Sequence, residues 1–154
     1  MLIRLVISKC SVLKIVGTTL VIGDSLLRHV ELSNADLVFI PGIQLQGIAT
    51  ALCNRNLRPE GYAKVILLAG TNNVTVMQGD ESAYARELGC IIRLLRFYNP
   101  GVRIGISAIL PRPCDHLQSE EWVEAANLAF EKVAKRLKCI YFNSAAYYFT
   151  KGLV

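Results

Sequence analysis

Apolar residues along this chain fall into short and long blocks that alternate and differ in period. The short blocks are nearly continuous and rich in β-branched residues. Residues 18–22, 36–40, 64–69, 102–108 and 139–142 each read as a strand. Unbroken apolar runs of this length are what strands show when both faces of their sheet are covered. The long blocks repeat every three to four residues instead. Within 82–98, Tyr84, Leu88, Ile91, Ile92 and Leu95 share one helical face. Within 119–137, Trp122, Ala126, Phe130, Val133 and Leu137 do the same. Shorter helices are predicted over 26–32 and 45–52. Pro41-Gly42 closes the second strand, Asn99-Pro100-Gly101 stops the first long helix, and Pro111-Arg112-Pro113 opens a loop.

Strand–helix alternation with short links predicts an α/β protein with a five-stranded, parallel, doubly wound sheet. Residues 1–15 precede the pattern and have no place in it. The chain therefore divides into an N-terminal extension, 1–15, and a domain, 16–154.

Composition narrows the class. With 154 residues, 53% of them hydrophobic and 19% charged, the chain can bury a real core. No apolar run reaches the ~18 residues that a membrane span needs. The first sixteen residues are broken by Arg4, Lys9 and Lys14 and lack an Ala-x-Ala cleavage site, which argues against a secretory signal. The five cysteines (Cys10, Cys53, Cys90, Cys114, Cys139) are scattered and form no Cys-x-x-Cys pair. That pattern speaks against zinc and against a disulfide framework, and fits a reducing, cytoplasmic or otherwise intracellular compartment. Cys90 and Cys139 read as core residues. No metal and no cofactor is expected.

The net charge of +5 is carried partly by Arg86, Arg93, Arg96 and Arg103 and by a denser group, Lys132, Lys135, Arg136 and Lys138. Cations near a helix C-terminus complement its macrodipole, which accounts for the second group. Aromatic residues do not interleave with it and no nucleic-acid motif is present, so this domain alone is not expected to bind nucleic acid.

Three strand ends carry the residues suited to chemistry. The first strand stops abruptly at Gly23-Asp24-Ser25, which lifts a hydroxyl to its carboxyl end. Pro41-Gly42 follows the second strand, and a glycine there lets backbone approach a ligand and offer an N–H. Gly70-Thr71-Asn72-Asn73 follows the most apolar strand, and Asn72 carries a carboxamide that can donate. In an open parallel sheet all three lie on one rim, where ligands bind. Each has a plainer reading too. Ser25 suits a helix N-cap, Gly42 a turn, and Asn72 a loop position.

These blocks resemble the SGNH, or GDSL, hydrolase superfamily. Gly23-Asp24-Ser25-Leu26 matches its first block, Gly42 its second, and Gly70-Thr71-Asn72-Asn73 its third, usually Gly-x-Asn-Asp. The resemblance runs from about residue 18 to the C-terminus. It implies a three-layer α/β/α flavodoxin-like fold and hydrolysis of a small acyl ester or thioester. Ser25 would be the nucleophile. The backbone N–H groups of Ser25 and Gly42 and the Asn72 side chain would form the oxyanion hole. Asp24, Gly23, Gly70 and Asn73 would support the turns.

The chain departs from the pattern in two places. Asn73 stands where the family usually has aspartate, which puts the loop's hydrogen bonding in question. The family's last block, Asp-x-x-His, supplies the base that deprotonates the serine. Residues 142–154 contain neither histidine nor aspartate, so that block is expected beyond Val154, or the base is lost. Two histidines are available as substitutes. His29 is four residues past Ser25, and His116 follows Asp115 in the loop after the fourth strand. Without a base, ~10³–10⁴-fold acceleration over water remains available from binding and the oxyanion hole.

The alternative is a non-catalytic SGNH-like binding module. Residues 23–30 together with Ile109-Leu110-Pro111-Arg112-Pro113 also resemble SGNH-like domains of retroelement-type proteins. A nucleotide-binding flavodoxin-like domain fits the strand pattern, but the chain has no Gly-x-Gly-x-x-Gly and no Walker lysine.

Overall fold

The computed structural model describes residues 18–24, 27, 35–110 and 116–143. Five parallel strands form its sheet: β1 (Thr19–Gly23), β2 (Ala35–Phe39), β3 (Lys64–Leu68), β4 (Arg103–Ser107) and β5 (Ile140–Phe142). Their order is β2-β1-β3-β4-β5, the flavodoxin-like arrangement. The helices are α1 (Leu45–Cys53), a single turn α2 (Val74–Met77), α3 (Glu81–Tyr98) and α4 (His116–Arg136). The expected α/β fold with its five parallel strands is the observed one.

Two features differ from the sequence expectation. Helix α4 begins at His116, three residues before the polar start expected at Ser119, so His116 belongs to a helix and not to a loop. A 3₁₀ turn (Thr71–Asn73) and α2 fill the stretch after β3; so few residues leave no periodicity to read. The extension 1–15 and the helix predicted over 26–32, apart from Leu27, lie outside the described residues.

The direction of the crossovers decides which face each helix covers. The steps β2 to β3, β3 to β4 and β4 to β5 all move the same way across the sheet. Right-handed connections therefore place α1, α3 and α4 on one face. The step β1 to β2 moves the other way, and Leu27, described within that step, packs on the opposite face. Side chains record both layers. Leu20, Ile22, Val38, Val65, Leu67, Ile104 and Ile106 pack with the helices. Their neighbours in sequence, Val21, Leu37, Phe39, Ile66 and Leu68, gather with Leu27 on the far side.

The predicted helical stripes form the core. Tyr84, Leu88, Ile91, Ile92 and Leu95 of α3 are buried, as are Ala126, Phe130 and Val133 of α4. Trp122 and Leu137 pack against the core from the ends of the second stripe, partly exposed. Asp80 caps α3 by accepting from Ala83 N at 3.1 Å. Cys90 and Cys139 are only half-buried, contrary to their core assignment. Cys139 packs against the core from its edge, and the Arg96 guanidinium lies 3.8 Å from its Sγ.

Tyr84 packs edge-on against Phe130, ring centroids 6.0 Å apart. The residue is 0% exposed, and its hydroxyl has no hydrogen-bond partner among the described residues. Burial pushes its pKa up to about 12. A buried hydroxyl without a partner costs desolvation. Tyr84→Phe should therefore raise stability by about 1 kcal/mol at neutral pH, measured by urea denaturation. The folded state also resists ionising this phenol, whereas an unfolded tyrosine titrates near ~10. The stability it contributes is complete below that pH and is lost as pH rises toward 12. The Phe variant should consequently lose less stability than the parent between pH 9 and 11.

Candidate active site

Strands β1 and β3 are neighbours, and the chain runs from β1 to β2 on one side and from β3 to β4 on the other, the switch point at whose carboxyl end open parallel sheets bind ligands. Gly23 ends β1 there. A Cβ at this position would lie 2.7 Å from the Leu68 carbonyl oxygen and 2.5 Å from Leu27 Cδ1. Close approach of β1 to β3 is the reason for glycine. The Gly23 carbonyl accepts from Ile40 N at 3.1 Å, carrying the β1–β2 pairing past the strand end. Asp24 follows, 1% exposed, with its carbonyl accepting from Leu27 N at 3.1 Å. Ser25 and His29 lie outside the described residues; Asp24 and Leu27, on either side of the serine, stand at the β1 end.

Gly42 belongs to a turn closed by Ile43 N donating to Ile40 O at 3.2 Å. Pro41 in the second position and Gly42 in the third, at φ 72°, are the signature of a type II turn. Nothing lies within 4 Å of where a Gly42 Cβ would be, so the backbone here faces open space.

The Gly70–Asn73 segment joins this turn from the side. Asn72 Nδ2 donates to Ile43 O at 3.1 Å, which ties its carboxamide to the residue beside Gly42. A primary amide carries two N–H groups, and the second is left for another acceptor. Asn73 is 0% exposed. Its Oδ1 accepts from Leu45 N at 2.8 Å, capping the start of α1, while Nδ2 donates to Gln46 Oε1 at 2.8 Å. The bonding placed in question by this residue is thus complete. An amide both caps the helix and satisfies a neighbouring carbonyl.

Gly70 has φ 120°, and a Cβ there would meet Ile109 Cδ1 at 2.9 Å and Phe130 Cζ at 3.0 Å. The loop after β4 thus rests on the loop after β3. Asn127 holds it from α4, accepting from Ile109 N at 2.7 Å and donating to Ile109 O at 3.1 Å. Asn73 was expected to support its turn, though not to cap α1, and Asn127 was missed as an organiser of the rim. Asn127 carries the only local signal: an amide inside a helix, where asparagine is disfavoured unless its side chain has other work.

His116 is the first residue of α4. Phe130, fourteen positions on, is the residue packed at Gly70, and a rise of ~1.5 Å per residue puts His116 about 21 Å along the helix from it. Helix α4 therefore carries His116 away from the Gly70–Asn72 loop. Among the described residues no group of three or more His, Cys, Asp or Glu is placed to hold a metal ion. A groove of about 240 Å³ between α3 and α4, lined by Glu81, Lys132 and Arg136 among others, shares no residue with this rim.

Solved structures share this fold. A member of the lipolytic G-D-S-L family from Veillonella parvula aligns with a TM-score of 0.70 at 15% identity, over 88% of this chain and 81% of its own. A lipase/acylhydrolase from Enterococcus faecalis aligns at 0.66 and 10% identity, over 86% and 78%. The chain has the fold of the GDSL/SGNH hydrolases. A structure from Streptococcus pneumonia matches at 0.67 and 22% identity, but this chain spans only 66% of its length. An esterase domain of a zebrafish retrotransposon protein matches at 22% identity with a TM-score of only 0.42, too low to weigh. No protein-family model matches the sequence, and no curated protein matches it. No helix among the described residues is long and apolar enough to cross a membrane.

Within this GDSL/SGNH fold the amide of Asn73 is the tie that can be tested by stability. Asn73→Ala leaves Leu45 N without its acceptor and should cost about 1–3 kcal/mol in urea denaturation. Asn73→Asp keeps the cap, and Gln46 can turn its own NH₂ toward the new carboxylate, so the cost should fall below about 1 kcal/mol.

Proposed function

We propose that this chain is an ester hydrolase of the SGNH type, acting on small acyl esters through Ser25. The observation that supports it is the bond from Asn72 Nδ2 to Ile43 O. It holds a carboxamide with one N–H to spare beside the open backbone of Gly42, on the rim where β1 ends in Gly23-Asp24. In this reading Ser25 Oγ attacks the ester carbonyl carbon. The carbonyl oxygen becomes an oxyanion, and the N–H groups of Ser25 and Gly42 and the second N–H of Asn72 stabilise it. Donors held in place before the reaction need no reorganisation as the charge develops, which makes this kind of term large. The bond from the carbonyl carbon to the leaving oxygen then breaks, the serine's hydroxyl proton goes to that oxygen so that the alcohol departs, and water hydrolyses the acyl-serine to the free acid and Ser25.

No general base is assigned. The sequence has no Asp-x-x-His block, and about 21 Å of helix separates His116 from Phe130 at the rim. Acylation without a base rests on binding and the oxyanion hole, and is slow.

A fluorophosphonate probe tests the reading. Labelling of Ser25 should be measurable, absent in Ser25→Ala, and reduced about 10²–10³-fold in Asn72→Ala, the usual loss of one oxyanion donor. His116→Ala should leave the labelling rate within about twofold. Loss of labelling in that variant would make His116 the base. No labelling in a folded protein would favour a non-catalytic module.

A further inference from the structure

Among the described residues the sheet has two edge strands, β2 and β5, and they differ in what they leave in solvent. Phe39 of β2 is 3% exposed, whereas Ile140 and Phe142 of β5 are 50% and 43% exposed. Large apolar side chains on an open edge are a ready surface for another chain. Ile140 and Phe142 are register partners of Gly105 and Ser107, so they share the sheet face turned away from α4. The Phe142 carbonyl accepts from Ala108 N at 2.9 Å, which turns the peptide groups of Phe142 inward to β4. These groups alternate along a parallel strand, so the N–H and C=O of Tyr141 point outward. One donor and one acceptor therefore stand on an edge that no described strand covers.

Helix α4 carries a second open flank on the other side of the sheet. Ala129, Lys132 and Arg136 face α3 across the groove between the two helices. Glu124, Glu131 and Lys135 are exposed, and their spacings of seven and eleven residues put them on one side of the helix, turned away from α3. Burial, and then the charge of Glu131, push the Tyr141 phenol up to about 12, so this flank stands over β5. Among the described residues Glu120, Glu124, Glu131, Lys135 and Lys138 form no salt bridge. The acidic members lie toward the start of α4 and the basic ones at its finish.

We propose that two copies of this chain join through β5 and α4 across a two-fold axis, making one continuous sheet. Antiparallel β5 strands centred on Tyr141 exchange its outward N–H and C=O with those of the second copy's Tyr141, a hydrogen-bonded pair of an antiparallel ladder. Ile140 then stands opposite the second copy's Phe142, and Phe142 opposite its Ile140, which closes the apolar patch on that face. On the other face each α4 lies over the β4–β5 gap that it connects. Two strand spacings of ~4.8 Å then separate the helices, about 9.6 Å, within the ~8–10 Å at which helices pack. The same axis runs the helices antiparallel, setting Glu120 and Glu124 of one against Lys138 and Lys135 of the other. The midpoint between Glu124 and Lys135 falls within two residues of Glu131, the residue over Tyr141, so helices and strands require the same axis. Such self-complementarity is what an isologous interface needs. Another protein would have to match backbone, apolar patch and charge separately; a second copy matches all three by symmetry.

Sedimentation equilibrium of the full chain across micromolar concentrations tests the proposal. The mass should rise to twice that of the chain. Ile140→Lys puts a charge on the pairing edge and should weaken the dimer about tenfold or more. Glu124→Lys sets like charges against each other twice in the dimer and should weaken it by about the same factor. Adding Lys135→Glu to Glu124→Lys restores opposite charges and should bring the affinity back to within about threefold of the parent. Glu124 and Lys135 are exposed, so these variants should keep the parent's Tm, and a lost dimer is then not a lost fold. A monomer at every concentration would overturn the proposal and leave the edge to residues 144–154 or to another protein. A dimer that either single variant leaves intact would overturn it too, as would a charge swap that restores nothing.

Discussion

Side-chain amides hold the carboxyl rim of this sheet together. Past the ends of β2, β3 and β4 the chain has no ladder to satisfy its peptide groups, and buried peptide groups must find partners. Asn73 supplies them for the start of α1, Asn72 for Ile43, and Asn127 for both polar groups of Ile109. Each bond joins segments 18 to 29 positions apart in the chain. A loop fixed at such distances cannot shift without exposing or stranding a buried group. The geometry around Asn72 and Gly42 depends on this.

Glycine makes the same rim compact. At Gly23 a side chain would strike the backbone of β3, and at Gly70 it would strike Ile109 and Phe130. The two positions serve different needs. Gly23 permits close approach, whereas Gly70 also requires a left-handed backbone. Gly42 needs only the backbone freedom, since the space beside it is empty. In the proposed reaction that open space is what lets the Gly42 N–H meet the substrate, and the packed surroundings of Gly23 and Gly70 fix the neighbouring loops.

The two ends of the sheet have different chemistry. Amides and glycines crowd the carboxyl rim, while the amino edge presents Lys64, Arg103 and Lys138 with an exposed Phe97. A parallel sheet produces this separation directly, because every strand starts at one edge and ends at the other. Charge placed at helix ends to complement their dipoles adds to it, since every long helix finishes at the amino edge.

Much of the fold was legible in the sequence because period carries over to burial. The α3 stripe from Tyr84 to Leu95 and the near-continuous β3 run were readable from spacing alone, since a helix or strand must turn its apolar face inward. Parallel topology followed from the alternation, and the handedness of crossovers did the rest. Gly23, Gly42, Gly70 and Asn72 stood out as residues at strand ends. What they touch did not. The partners of Asn73 and the meeting of Arg96 with Lys138 depend on segments far apart in sequence, and the start of α4 at His116 left no periodic signal. A single chain's spacing holds no record of such distances. Local pattern determined the elements and their order; only packing decided which side chains stand together, because contact between distant loops is set by the thickness of the layers between them.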